Sequence, residues 1–158
     1  MRKVVSGGQT GVDRGALDAA MAHGVAVGGW CPEGRLAEDG RIPARYPLRE
    51  LPGAGYRQRT RQNVIDSEGT LIIHFGPVTG GTRETLLFCE AEGRPCLQVD
   101  ALCTTPGEAL PRVRRFIGKW DLHVLNVAGP RASGEPLAQG YARELVGLLL
   151  GGATGSRR

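Results

Sequence analysis

The stretch from Val4 to Met21 restricts the fold more than any other part of the chain. A short apolar run (Val4, Val5) stops at Gly7-Gly8, and a polar bend, Gln9-Thr10-Gly11, follows. Beyond it Val12, Ala16 and Ala20 fall on one helical line, with Leu17 and Met21 beside it. The pattern predicts a strand, a tight turn and a helix. Glycine lets such a turn take positive φ and lets a ligand approach the main chain. The start of the helix adds free N–H groups and the positive end of a dipole, a natural anion site. Two readings of the bend stand side by side: a phosphate cradle, or a turn whose glycines only serve packing. It is neither a dinucleotide G-x-G-x-x-G nor a P-loop, because no Gly-Lys-Ser/Thr follows.

The same unit recurs along the chain. The first helix should end at His23-Gly24, with Gly24 as its left-handed cap, before a strand over Val25 to Gly29. Thr70 to Phe75 is a nearly continuous apolar run, as expected of a strand covered on both faces. Gly76-Pro77-Val78-Thr79-Gly80-Gly81-Thr82 then opens a helix that stops at Gly93. Pro95 to Val99 reads as a strand. Thr105-Pro106-Gly107-Glu108 reads as a capping box ahead of a stripe of Ala109, Leu110, Val113, Phe116 and Ile117. His123 to Val127 is the fifth strand, and the last helix runs from about Pro136. A polar helix fits Tyr56 to Ser67. Between Trp30 and Arg57 there is no period, and Pro32, Pro43, Pro47 and Pro52 exclude a helix; its Trp, Tyr and paired charges favour an ordered lid. Five strands alternating with helices predict an α/β, Rossmann-like, doubly wound and mostly parallel sheet with helices on both faces. Residues 1–150 form one ligand-binding domain and 151–158 a flexible tail. The ligand should sit at the carboxyl ends of the strands, where the glycine bends converge.

Composition removes several function classes. The net charge of +4 is spread along the chain, and only 5% of the residues are aromatic. Anionic small molecules suit that balance, whereas a nucleic-acid stacking surface is not favoured. No apolar run reaches membrane-spanning length. Cys31, Cys89, Cys96 and Cys103 lack zinc-like spacing, so no directly bound metal is expected. With no signal peptide ahead of the first strand, a cytoplasmic location is the expectation. Val146, Leu148, Leu149 and Leu150 give the last helix more apolar surface than one sheet face needs, which predicts a homodimer or tetramer.

Candidate ligand residues are Gly7, Gly8, Gln9, Thr10, Gly11 and Asp13 in the first bend, and Gly80, Gly81, Thr82 and Arg83 in the second. Asn126, Gly129 and Pro130 follow the fifth strand. Arg35, Arg83 and Arg131 could add charge-assisted bonds to phosphate. Arg35, Glu38 and Asp39 otherwise read as a solvated cluster, and Arg59, Thr60, Asn63 and Asp66 as a polar helix face. For catalysis the candidates are Asp13, Asp39 and Glu84, with Glu38 beside them; no triad or metal cage can be assembled.

Five blocks carry a resemblance: SGGQTGVDRGALDAA, WCPEGRLAEDGRIPARYPL, RTRQNVIDSEGTLI, GPVTGGTRET and LNVAGPRASGEP. Together they resemble the molybdenum carrier family, part of the Rossmann-like SLOG superfamily that includes the lonely-guy phosphoribohydrolases. The resemblance runs from about Lys3 to Leu150. It implies a homo-oligomer binding a phosphorylated ligand at the strand ends, either molybdenum cofactor (molybdopterin) or a nucleotide-like molecule. It also raises Arg35, Glu38, Asp39, Arg59, Thr60, Asn63 and Asp66 as candidates. One departure stands out. Lonely-guy enzymes resemble P-G-G-x-G-T-x-x-E, and this chain has Thr85 at the glutamate position. Glu84 lies one residue early, about 100° around a helix. The expectation is a carrier or sensor, with a nucleotide N-glycosidic hydrolase or transferase as the alternative and a regulatory interaction protein behind both.

Overall fold

The computed structural model describes residues 1–155. Five parallel strands form the central sheet: β1 (Lys3–Val5), β2 (Ala26–Gly28), β7 (Gly69–His74), β8 (Cys96–Asp100) and β9 (Val124–Ala128). Their order is β2-β1-β9-β7-β8, so the last strand lies in the middle, between the first and the third of the five. Short strands lie outside this sheet: β3 (Trp30–Pro32) with β6 (Arg49–Leu51), and β4 (Leu36–Ala37) with β5 (Gly40–Arg41).

Helices cover both faces. From β1 the chain passes through α1 (Val12–Ala22) to β2 at one edge, and from β7 through α3 (Gly80–Glu92) to β8 at the other. Right-handed crossovers in opposite directions place their helices on opposite faces. Accordingly α1 packs on α5 (Ala138–Gly155), and α5 on α4 (Pro106–Trp120), while α2 (Tyr56–Ile65) packs on α3. One core joins Val4, Leu71, Ile73, Val99, Leu125 and Val127 of the sheet to Ala16, Ala20, Val113, Leu145 and Val146 of the helices above. A doubly wound α/β sheet is thus what the sequence pattern indicated, with the strand boundaries shifted by about a residue.

The capping box is present as expected. Thr105 Oγ1 accepts from the Glu108 N–H at 3.2 Å, the Glu108 carboxylate accepts from the Thr105 N–H, and Pro106 sits at the first helical position. Two features of α5 differ from the sequence pattern. The backbone is helical as far as Gly155, five residues beyond the expected end, and residues 156–158 of the expected tail lie outside the described residues. The apolar surplus of α5 is also absent: Val146, Leu149 and Leu150 are buried between α1 and α4 within one chain, leaving Leu148 partly exposed. These three side chains serve intramolecular packing.

The long loop builds its own small core. Leu17 of α1 is covered by Cys31, Ala37, Ile42, Tyr46 and Leu48. Arg35, at φ 55°, turns its buried guanidinium inward and donates to the carbonyls of Ile42, Pro43, Tyr46 and Leu48 at 2.8–3.2 Å. One cation thereby serves four carbonyl groups that no regular ladder serves.

Candidate functional site

Three connections leave the carboxyl ends of adjacent strands and enclose a cavity of about 190 Å³. After β1 come Gln9 and Asp13; after β9, Ala128 to Arg131; after β7, Thr79, Gly81, Thr82 and Thr85. Arg59 and Thr60 of α2 close the side. The glycine bends therefore meet on one rim, above the central strand β9, as the doubly wound topology requires.

Within the first bend, packing and internal bonds account for most of the sequence. The Gln9 N–H donates to Asp13 Oδ2 at 3.1 Å, the Thr10 N–H to Gln9 Oε1 at 3.0 Å, and the Val12 N–H to the Pro130 carbonyl at 3.2 Å. A Cβ on Gly7 would stand 1.6 Å from Arg59 Nη1, one on Gly8 2.4 Å from Leu48 Cδ1, and one on Gly11 2.3 Å from the Pro130 carbonyl oxygen. These glycines make room for protein rather than for a ligand, and three of the nearby amides are already taken. The start of α1 is sealed against the loop after β9.

The start of α3 is arranged differently. Its first intrahelical bond runs from the Arg83 N–H to the Thr79 carbonyl, so the amides of Gly80, Gly81 and Thr82 precede the ladder. Thr79 supplies no side-chain cap, and nothing lies within 4 Å of a Cβ placed on Gly80 or Gly81. Gly81 and Thr82 face the cavity.

Side chains at the back of the cavity carry unused donors. Gln9 is 5% exposed, and its Oε1 accepts from both the Thr10 and the Glu38 N–H. Two N–H donors fix which end of the amide is oxygen. Its Nε2 is buried without a partner, and so is Arg59 Nε. Arg59 Nη1 meets Asp13 Oδ2 at 3.3 Å. Burial pushes the Asp13 carboxyl above its ordinary range, and Arg59, the Gln9 N–H and Ser6 pull partly the other way. The Arg131 and Arg59 guanidinium groups lie 5.3 and 5.9 Å from the Tyr56 ring centroid.

Of the residues singled out from sequence, Gln9, Asp13, Gly81, Thr82, Gly129, Pro130, Arg59, Thr60 and Arg131 line this cavity. Others do not. Arg35 is committed to its four carbonyls. Asp39 receives both Arg14 Nη atoms at 2.6 and 2.8 Å, which holds its carboxyl low, while Arg14 Nε donates to the Gly8 carbonyl. Glu38 accepts from Thr10 and Ser133, and these bonds hold its carboxyl low as well. Glu84 Oε2 lies 3.1 Å from Arg57 Nε, an ion contact without hydrogen-bond geometry, whereas Thr85 faces the cavity. That is the one-residue rotation expected from the departure in the glycine-threonine block. Gly80 and Arg83 lie beside the lining rather than in it. Asn126 is buried in β9, where its Nδ2 donates to Thr70 Oγ1 at 3.3 Å. Asn63 and Asp66 hold Trp30: Asn63 bonds both its backbone N–H and its carbonyl, and Asp66 accepts from its indole. No residue of the long loop lines the cavity; the loop buttresses the first bend from behind. Thr79, Thr85, Ala128 and Gly134 line it without any signal in sequence beyond their place in the connections.

A sequence profile described as the circularly permutated YpsA SLOG family matches residues 4–150. The chain belongs to the circularly permutated YpsA SLOG family. A crystal structure from Syntrophus aciditrophicus SB, named putative molybdenum carrier protein, superposes on this family member with a TM-score of 0.93. The two are 43% identical, and the match covers 95% of each chain. Comparison with curated proteins finds no match. Among the described residues of this SLOG domain, no group of His, Cys, Asp or Glu is placed to hold a metal ion. No described helix is long and apolar enough to cross a membrane.

Proposed function

We propose that this SLOG protein binds a phosphorylated small molecule of nucleotide or pterin type, as a carrier or sensor. One observation carries the reading. Gln9 and Arg59, whose Nε2 and Nε are buried donors without partners, line a cavity that Gly81 and Thr82 at the start of α3 also line. A buried donor left unmatched costs about 1–3 kcal/mol, which an acceptor on a ligand would recover. Phosphate oxygens suit the α3 amides and Arg131, and a carbonyl or ring nitrogen suits the Gln9 end.

The name of the Syntrophus structure brings molybdenum cofactor into this reading. The donor set fits the phosphate and the pterin carbonyl of such a cargo. It offers no thiolate or carboxylate cage, so the metal would arrive on its own pterin. Thermal unfolding against phosphate, nucleoside monophosphates and pterin phosphates tests the proposal. A ligand at 100 times its Kd should stabilise the fold by about 2.7 kcal/mol. Unchanged melting with every phosphorylated compound would refute it.

One observation favours a second reading. Asp13 is the single carboxylic acid among the cavity-lining residues, and its carboxyl is held above the ordinary range. A raised acid beside an anion site could donate a proton to the leaving base of an N-glycoside. Release of free base from nucleoside monophosphates, abolished in Asp13→Asn, would establish this nucleotide hydrolase. A wild-type protein that binds them without turnover would leave the carrier. Asp39 and Glu84 are engaged with Arg14 and Arg57 outside the cavity and are not part of either reading.

A further inference from the structure

β8 ends the central sheet on one side, and β7 is its one ladder partner among the described residues. The Thr70 N–H donates to the Pro95 carbonyl, and the Ala101 N–H to the His74 carbonyl. Main-chain groups alternate sides along a strand. Pro95, Leu97 and Val99 therefore turn theirs to β7, and Cys96, Gln98 and Asp100 turn theirs outward. Two outward carbonyls are satisfied, Gln98 by Arg112 Nη2 at 3.2 Å and Asp100 by the Cys103 N–H at 3.1 Å. The outward N–H groups of Cys96 and Gln98 have no strand beside them. Such an edge is a template for another extended chain.

An open trough of about 840 Å³ runs between this edge and α4. Pro95, Leu97, Phe116 and Trp120 give it an apolar lining, and Trp120 is half exposed. Arg112, Arg115 and Lys119 supply its charge, and no Asp or Glu lines it. Among the described residues none of these cations has an ion-pair partner. They recur at i, i+3 and i+7, one face of α4, over about 10.5 Å of helix axis. Side chains at i and i+2 of an extended chain lie about 6.8 Å apart on one face. Two carboxylates at alternate positions of an added strand thus fall within the run of cations.

Charge and backbone decide the occupant. A second copy adding its own β8 symmetrically would pair antiparallel and keep both α4 helices on the same face of the sheet. Its three cations would then confront these three, and like charges suppress that pairing. Nucleic acid suits the cations but makes no use of a strand edge, and Trp120 alone is no stacking platform. An acidic extended peptide uses the edge, the cations and the apolar lining together.

We propose that the β8 edge docks an acidic segment of a partner protein, which adds a sixth strand with its carboxylates on α4 and an apolar side chain against Trp120. The trough shares no lining residue with the cavity at the strand ends, so the proposal stands apart from the ligand reading.

Fluorescence anisotropy of the full chain with labelled probes tests it. The probes are an alternating Glu-Val octapeptide, its Lys-Val counterpart and an oligouridine of eight nucleotides. The Glu-Val peptide should bind at least tenfold tighter than either of the others. Arg115→Glu/Lys119→Glu, with an unchanged circular dichroism spectrum, should weaken it at least tenfold. Hydrogen exchange followed by NMR should find the Cys96 and Gln98 amides fast in the free chain and slowed at least tenfold by the peptide. No binding of the Glu-Val peptide, equal binding of the Lys-Val peptide or the oligouridine, or indifference to the double substitution overturns the proposal. So does slow exchange of both amides in the free chain, which would mark a second copy already on the edge.

Discussion

Asp13 and Arg59 are both nearly buried, and each depends on the other. Removing one partner of a buried pair leaves a charge without compensation, at a cost of about 3–5 kcal/mol. Arg59→Leu should therefore lower stability strongly at neutral pH, read from urea denaturation, and the loss should diminish in acid as Asp13 takes up a proton. The wild type has its own pH signature. The folded chain holds the Asp13 proton more tightly than the unfolded chain does. Its contribution thus falls as pH rises from the ordinary value of 3.8 through the raised one, and the penalty is complete above it. Subtracting the Asp13→Asn profile from the wild-type profile should leave a negative slope in that window; a flat difference would contradict the burial argument. The sequence indicated Asp13 and Gln9 as ligand-side residues because they follow a glycine bend. It gave no sign that Gly7 exists to admit Arg59, since that contact joins residues far apart in the chain. Arg35 shows the converse. An arginine in a proline-rich loop resembles a phosphate ligand in sequence, yet three-dimensional closure of the loop makes it a structural cation. Arg35→Ala should expose the amides of residues 30–51 to hydrogen exchange and cost at least about 3 kcal/mol.

Glycines within the elements divide according to what surrounds them. A Cβ on Gly15 of α1 would stand 2.3 Å from the Gln139 carbonyl of α5, so close approach of the two backbones sets this helix pair. Gly15→Ala should cost about 1–3 kcal/mol through overpacking, seen as a lower Tm. Gly81 at the start of α3 has open space around it. Gly81→Ala should leave the Tm within about 1 °C of the wild type or raise it, yet weaken phosphate binding by narrowing the cavity. Helices were readable to within a few residues because caps and apolar periodicity are local. The loop strands β3 to β6 were not, since each has two or three residues and pairs only with another loop segment. A strand that short has no detectable period.

Across the whole molecule, the decisive feature is that β9 enters between β1 and β7. Its helix α5 then covers the middle of one face, in contact with both α1 and α4. A chain cut after Leu137 would lose the cover of the central strands, and we expect it to lack a cooperative thermal transition by circular dichroism; cooperative melting of that fragment would show that α1 and α4 suffice. The alternation of apolar runs and helical stripes determined, from the sequence alone, a parallel doubly wound sheet with its glycine connections at the carboxyl ends. Those properties follow from periodicity and from the handedness of L-residues, which act over a few neighbours. Tertiary structure alone decided the strand order, and with it which connections face one another. Parallel strands pair across long stretches of chain, and nothing in a strand's own residues names its neighbour. For the same reason only the folded chain could show that the first glycine bend is closed by Pro130 and Arg59, while the start of α3 remains open above β9.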